Sequence, residues 1–109
     1  MTRTTNKNVA VQKGGHLLAS SQARALLPDV LIEYLWKHVL NEGWCAFKEQ
    51  FFVLKPGKLG GRGIQEIYHV CGNDGSTDVR RVYGVEPVEC MLQVLHSQGD
   101  YQMQLCASL

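Results

Sequence analysis

Three groups of residues in this chain are of a type and spacing that could do chemistry. The first is His69 with Cys71. At i and i+2 on an extended strand they share a face, and with Cys90, His96 or Cys106 they could assemble a zinc site. Structural zinc sites are built from close-spaced ligand pairs, and this chain offers a single His-x-Cys and no Cys-x-x-Cys. Cysteine on a strand is more commonly core filler. The second is a Cys–His nucleophile pair, which four cysteines and four histidines always permit on paper. Such pairs meet in space rather than in sequence, and no nucleophile elbow supports one. The acids are scattered, with no paired carboxylates for acid–base work. The third is basic. Lys55, Lys58 and Arg62 lie in the glycine-rich run KPGKLGGRG, and Arg80-Arg81 stand beside Tyr83. A glycine-rich cationic loop could wrap phosphates, but no GK[ST] closes it and no helix follows, so it is neither a Walker loop nor a dinucleotide fingerprint. Its plainer reading is a hairpin connection kept soluble by its charges. An aromatic beside two arginines suits stacking or an interface.

These residues predict no catalytic centre, no metal and no cofactor. They predict binding, with Lys55, Lys58, Arg62, Arg80 and Arg81 as the candidate contact residues. All five fall in or beside turns, where binding residues concentrate. With 46–54, 64–71 and 79–85 as consecutive strands, the 55–63 loop and Arg80-Arg81 would form two smaller sites. The expected partner is a protein, with a nucleic acid as the alternative.

The elements that position these residues start from one helix. Leu27-Pro28-Asp29 through Gly43 reads as a complete helix. Pro28 suits a first helical position, Asp29 and Glu33 complement the dipole, and Gly43 can end it. Leu31, Leu35, Trp36 and Val39 mark a buried stripe. Before it, HLLAS (16–20) reads as a short strand, with 21–27 a connection or a turn of helix. After it, WCAFKEQFFVL is β-prone, with Phe47, Phe51 and Val53 on one face and Phe52 and Leu54 on the other. Residues 55–63 read as a loop. IQEIYHVC is a second strand, GNDG a turn, and VRRVYGV a third strand interrupted by Gly84. Residues 87–98 fit either a helix or a strand. Alternation of Tyr101, Met103 and Leu105 favours a strand, with Ser97-Gln98-Gly99-Asp100 as a hairpin turn. A helix followed by strands joined by tight turns is an α+β pattern: one main helix packed on a mostly antiparallel sheet of four to five strands.

Size and charge frame this reading. One hundred and nine residues make one domain, and 45% hydrophobic with 19% charged residues is ordinary globular composition. No apolar run approaches a membrane span, and the N-terminus lacks the apolar segment of a secretory signal. The cytoplasm is the expected address, and the cysteines are expected as free thiols. The net charge of +1 hides an asymmetry: residues 1–28 hold four basic residues and no acid, while 29–109 hold seven basic and ten acidic. Residues 1–15 end in Gly14-Gly15 without periodicity and read as a flexible basic tail, leaving 16–109 as a single α+β domain.

The run Leu17 through Trp36, with Leu27-Pro28, Leu31 and Leu35-Trp36, resembles an uncharacterised family of short bacterial proteins. These occur in staphylococci and other Gram-positive bacteria, often on mobile elements. The family shows a short strand, an apolar residue plus proline, a helix carrying Leu-Trp, an aromatic strand and a strand leading to a histidine. Phe47 to Leu54 is similar to that aromatic strand. IQEIYH is similar to the histidine strand, and His96-Ser97-Gln98 to the family's histidine-x-glutamine step. The acidic-proline continuation expected after the histidine is missing at both places, and 72–109 lie outside the likeness. The resemblance implies a bacterial or phage setting and no catalytic residue. Together with the residues, it points to a small non-catalytic binding protein, an inhibitor or accessory factor acting on a host protein.

Overall fold

In a computed structural model the described residues are 16–41, 49–72 and 75–108. The Gly43 stop, Trp44, Cys45, Phe47 and the basic tail 1–15 lie outside them. The elements run β1 (Leu17–Ala19), α1 (Ser21–Leu26), α2 (Asp29–Val39), β2 (Glu49–Leu59), β3 (Arg62–Cys71), β4 (Thr77–Val82), β5 (Cys90–Ser97) and β6 (Asp100–Ser108). They form one six-stranded sheet in the order β1-β6-β5-β2-β3-β4. Every pairing is antiparallel except β1 with β6, which is parallel.

This corrects the expected fold class. The described residues are mostly sheet, six strands and mixed, with two short helices in place of one main helix on four to five strands. Three causes are visible. The glycine-rich run is paired β-structure, so strand replaces the expected 55–63 loop. The main helix is only Asp29–Val39, and the turn of helix offered for 21–27 is a separate α1, divided from it at Leu27-Pro28, where both residues are extended; proline holds the preceding residue out of the helical region. The parallel pairing of β1 with β6 joins residues more than 80 positions apart, a contact that no local pattern encodes.

Local chemistry explains each boundary. Ser20 caps α1, its Oγ accepting from the Ala23 N–H at 3.1 Å. Pro28 is the N-cap of α2 rather than its first helical residue, and its carbonyl accepts from the Leu31 and Ile32 N–H groups. Asp29 in the first turn and Lys37 in the last complement the dipole. The helix ends at Val39, with Leu40 as C-cap. Residues 87–98, open between helix and strand in the sequence, include strand β5. Ser97 and Asp100 close its hairpin, with Gln98 (φ 54°) and Gly99 (φ 88°) between them.

The helices cover one face of the sheet. Leu31, Leu35, Trp36 and Val39 are buried against Phe52, Leu54, Ile67, Leu92, Val94 and Met103. The stripe read from helical spacing is therefore the helix side of the core. Strand periodicity selects the sheet side: Phe52 pairs with His69 and Leu92, Leu54 with Ile67 and Cys90. Phe51 and Val53 point the other way and are half-buried, on a face where no described helix lies.

Candidate functional site

Register decides where the five candidate cations stand. Lys55 and Arg81 both lie opposite Glu66, one on each side. All three belong to the helix-free face, with roughly 10 Å between the outer two strands. Arg62 pairs with Leu59 on that same face, farther along the β2–β3 hairpin. Lys58, opposite Gly63, and Arg80, opposite Ile67, occupy the other face. The sheet therefore divides the five three against two, and does not divide them by the strand ends at which they lie.

The expected loop is a ribbon. β5 pairs with β2 only as far as Leu54, and β4 with β3 only as far as Gln65. Beyond both, β2 and β3 continue as a two-stranded arm of three residue pairs, Gly57–Leu59 with Arg62–Ile64, roughly 10 Å long. Gly60 and Gly61 close it at φ of 60° and 80°. Positive φ at both central residues is the signature of a I′ hairpin turn, whose twist suits the strands that it joins. Lys58 and Arg62 are exposed along the arm and Lys55 at its base, and Leu59 is 48% exposed at its end. Residues 55–65 contain no acid. Glu66 sits at the arm's base, where the Tyr68 hydroxyl donates to its Oε1 at 3.3 Å. Gly57 gives it room, since a Cβ there would lie 2.6 Å from Glu66 Cδ. The Lys55 ammonium stands 6.0 Å from the Tyr68 ring centroid, at the outer limit of a cation–π contact. Arg80 is already paired, 2.9 Å from Asp78 Oδ2. Tyr83, beside the two arginines, is exposed.

On the helix side a polar cluster lies between the end of α2 and strands β2 to β4. His69 is buried, stacks on Phe52 at 4.3 Å between centroids, and donates from Nε2 to Gln50 Oε1 at 2.6 Å. Gln50 Nε2 donates to the Val39 carbonyl at 3.5 Å, a long contact to the C-terminal end of α2. Burial first, then neighbouring His38, pushes the His69 pKa down to about 4, against the opposing pull of Asp78. His38 is lowered too, again chiefly by burial and next by Arg80. Its Nε2 is buried with no hydrogen-bond partner, and its ring meets Tyr34 edge-on at 4.6 Å. A neutral imidazole whose Nε2 proton is bonded to Gln50 is a structural donor, with no acceptor role at that nitrogen. Gln65 is likewise structural. It donates to the Lys55, Glu66 and Val88 carbonyls and accepts from the Val88 N–H, pinning the β4–β5 crossover across the sheet end.

Among the described residues the reactive groups read from the sequence do not converge. His69 and Cys71 share a face but are buried in it, and His96 stacks on Tyr101 at 4.1 Å. Among the described residues no group of three or more His, Cys, Asp or Glu could hold a metal ion. Cys71 and Cys90 are buried and Cys106 is exposed. Burial pushes the Cys90 thiol up to about 11, away from the thiolate that a nucleophile needs. A shallow groove of about 190 Å³ along the β1–β6 edge, lined by Leu18 and Met103, is smaller than ligand pockets usually are.

Sequence reading missed the arm and the helix-free face. The signals were present: the apolar residues of both parities in QFFVL, and Gly60-Gly61 between two β-prone runs. No helix of the described residues is long and apolar enough to cross a membrane. No family model matches the chain and no curated protein matches it. A crystal structure of a protein of unknown function from Enterococcus faecalis is similar to it, with a TM-score of 0.62 at 18% identity over 82% of this chain and 85% of that one. At that identity the likeness is one of fold, shared with an uncharacterised protein of a Gram-positive bacterium.

Proposed function

We propose that this is a small non-catalytic binding protein whose contact element is the β2–β3 arm. The observation that carries the reading is that the arm runs past both neighbouring strands and exposes Lys58 and Arg62 around Leu59, with Lys55 at its base and no acid among residues 55–65. A paired ribbon closed by a tight turn is ordered before it binds, so little entropy is lost on association. An exposed leucine among cations suits an acidic protein groove with an apolar floor. On this reading the protein acts on a host protein as an inhibitor or accessory factor. Its sequence resemblance to short proteins of Gram-positive mobile elements supports that setting.

A nucleic acid is the second reading, favoured by one observation: the major groove of B-DNA admits a two-stranded ribbon. The charge balance argues against it. A net charge of +1 and a pI near 7.7 are far from the basic footprint of such proteins.

The test compares Lys58→Ala/Arg62→Ala with Arg80→Ala/Arg81→Ala, each checked for fold by circular dichroism. The first variant should lose a partner that the wild type captures from a bacterial lysate, and the second should retain it. Equal capture by the arm variant sinks the assignment. If the captured species is DNA, affinity should fall with salt at a log–log slope near −0.9 per phosphate contact, and the nucleic-acid reading replaces the first.

A further inference from the structure

We infer that the helix-free face of the sheet packs against the same face of a second copy. In this arrangement β2 runs antiparallel to β2 about a two-fold axis at the level of Phe52, and Glu49 of each copy meets Lys55 of the other. The surface meets the arm only at Lys55, at the arm's base, and does not depend on the arm's role.

Antiparallel sheets that face water on one side alternate apolar-in with polar-out. This sheet does not. On the helix-free face β2, β3 and β5 carry Phe51, Val53, Tyr68, Val70 and Met91, all half-buried, with Val79 42% exposed at the edge. Among the described residues no helix lies across them. An apolar sheet face is stable when a second layer covers it.

The identity of that layer follows from the outward residues of β2, which read Glu49, Phe51, Val53, Lys55. A two-fold axis perpendicular to the strands exchanges 49 with 55 and 51 with 53. Acid then meets base at both ends, and the large ring meets the smaller valine in the middle. Register carries the same axis through the neighbouring strands, since Phe52 is level with His69 and Leu92, and His69 with Asp78. On β3 the axis exchanges Tyr68 with Val70, and on β4 Val79 with Thr77, so a larger group again meets a smaller one. The remaining charges meet no like charge: Glu66 falls opposite Gly72, and Arg81 opposite Gly75. Isologous pairing demands this kind of self-complementarity. Glu49 accepts from Gln93 Nε2, and Lys55 stands beside Tyr68, so both charges are held at the ends of the apolar rows.

The contact is small. Seven residues along β2 by four strands across is about 20 Å by 20 Å, or roughly 400 Å² of plan area per copy. That is the low end for specific association, so the dimer is weak and concentration-dependent.

The test is sedimentation of the full chain over a concentration series. The wild type should approach twice its 12.2 kDa mass. Glu49→Lys and Lys55→Glu each create two like-charge pairs by symmetry, and each should raise the dimer dissociation constant about tenfold or more. Mixed in equal amounts, the two variants should dimerise again, because every facing pair is then opposite in charge. A merely structural role for either residue gives no such rescue. Val79→Asp, at a position already exposed, should fold and lose the dimer whatever the charge variants do. A wild type that stays monomeric at its highest soluble concentration overturns the inference. So do single variants that dimerise as tightly as the wild type, a mixture that stays monomeric, or a Val79→Asp dimer of unchanged affinity.

Discussion

Lowering the pH from 7 to 5 should destabilise this fold through one buried histidine. His69 is enclosed between Phe52 and the end of α2, with its Nε2 proton bonded to Gln50, and its native pKa is about 4 against an ordinary 6.5. The unfolded chain therefore takes up a proton between pH 6.5 and 4 that the native state refuses. Stability is full above pH 6.5, falls as the pH drops, and reaches its floor below about pH 4. Over that whole interval the loss is roughly 3 kcal/mol, of which about 2 kcal/mol falls between pH 7 and 5. His38, lowered by burial, acts in the same direction. For a domain of this size a loss of about 2 kcal/mol lowers the melting temperature by roughly 8–16 °C. Urea titrations at pH 7, 6 and 5 with a constant m-value measure it directly. The control is Gln50→Leu/His69→Phe, which replaces both partners of the buried hydrogen bond with apolar groups, an exchange that can be nearly neutral. Its pH dependence should shrink to the part that His38 supplies. A wild-type midpoint that does not move between pH 7 and 5 would refute the reasoning. An unchanged slope in the double variant would show that another group carries the effect.

Two further outcomes test the core and the arm. Leu35 is fully buried between α2 and the sheet, so Leu35→Ala should cost about 2–5 kcal/mol by chemical denaturation, and a loss under about 0.5 kcal/mol would place it at the surface. Gly61 holds φ at 80°, so Gly61→Val should cost about 1–3 kcal/mol, while Gly60→Asn, at a turn position that favours asparagine, should be close to neutral. Similar losses from both would show that the I′ turn is not what closes the arm.

Local pattern determined a good deal of this protein. The 3.6-residue spacing of Leu31, Leu35 and Val39 can bury only one stripe, and that stripe is the helix side of the core. The alternation of Tyr101 and Met103 and the Gln98-Gly99 turn place a hairpin, because two-residue turns with positive φ suit few residue types. The basic character of the 55–63 segment was equally legible, although its structure was not. Gly and Lys are poor strand formers in isolation, so KPGKLGG reads as loop. Pairing with β3 overrides that preference, since ladder hydrogen bonds and cross-strand neighbours exist only once the partner strand is in place. The break at Leu27-Pro28 had its signal in the proline, and the turn of helix offered for 21–27 is the short helix α1.

Only the tertiary structure decided the rest. The β4–β5 crossover puts β5 beside β2, and the parallel pairing of β1 with β6 completes a six-stranded sheet; both are long-range choices with no local signature. Register then sorted the cations, sending Lys55, Arg62 and Arg81 to one face and Lys58 and Arg80 to the other, because a shift of one residue in pairing moves every side chain across the sheet. It also left Phe51, Val53, Tyr68 and Val70 on a face without a helix layer. Composition shows that these residues are apolar. Whether an apolar residue meets the core or a surface is settled by which strands pair and on which side the helices pack.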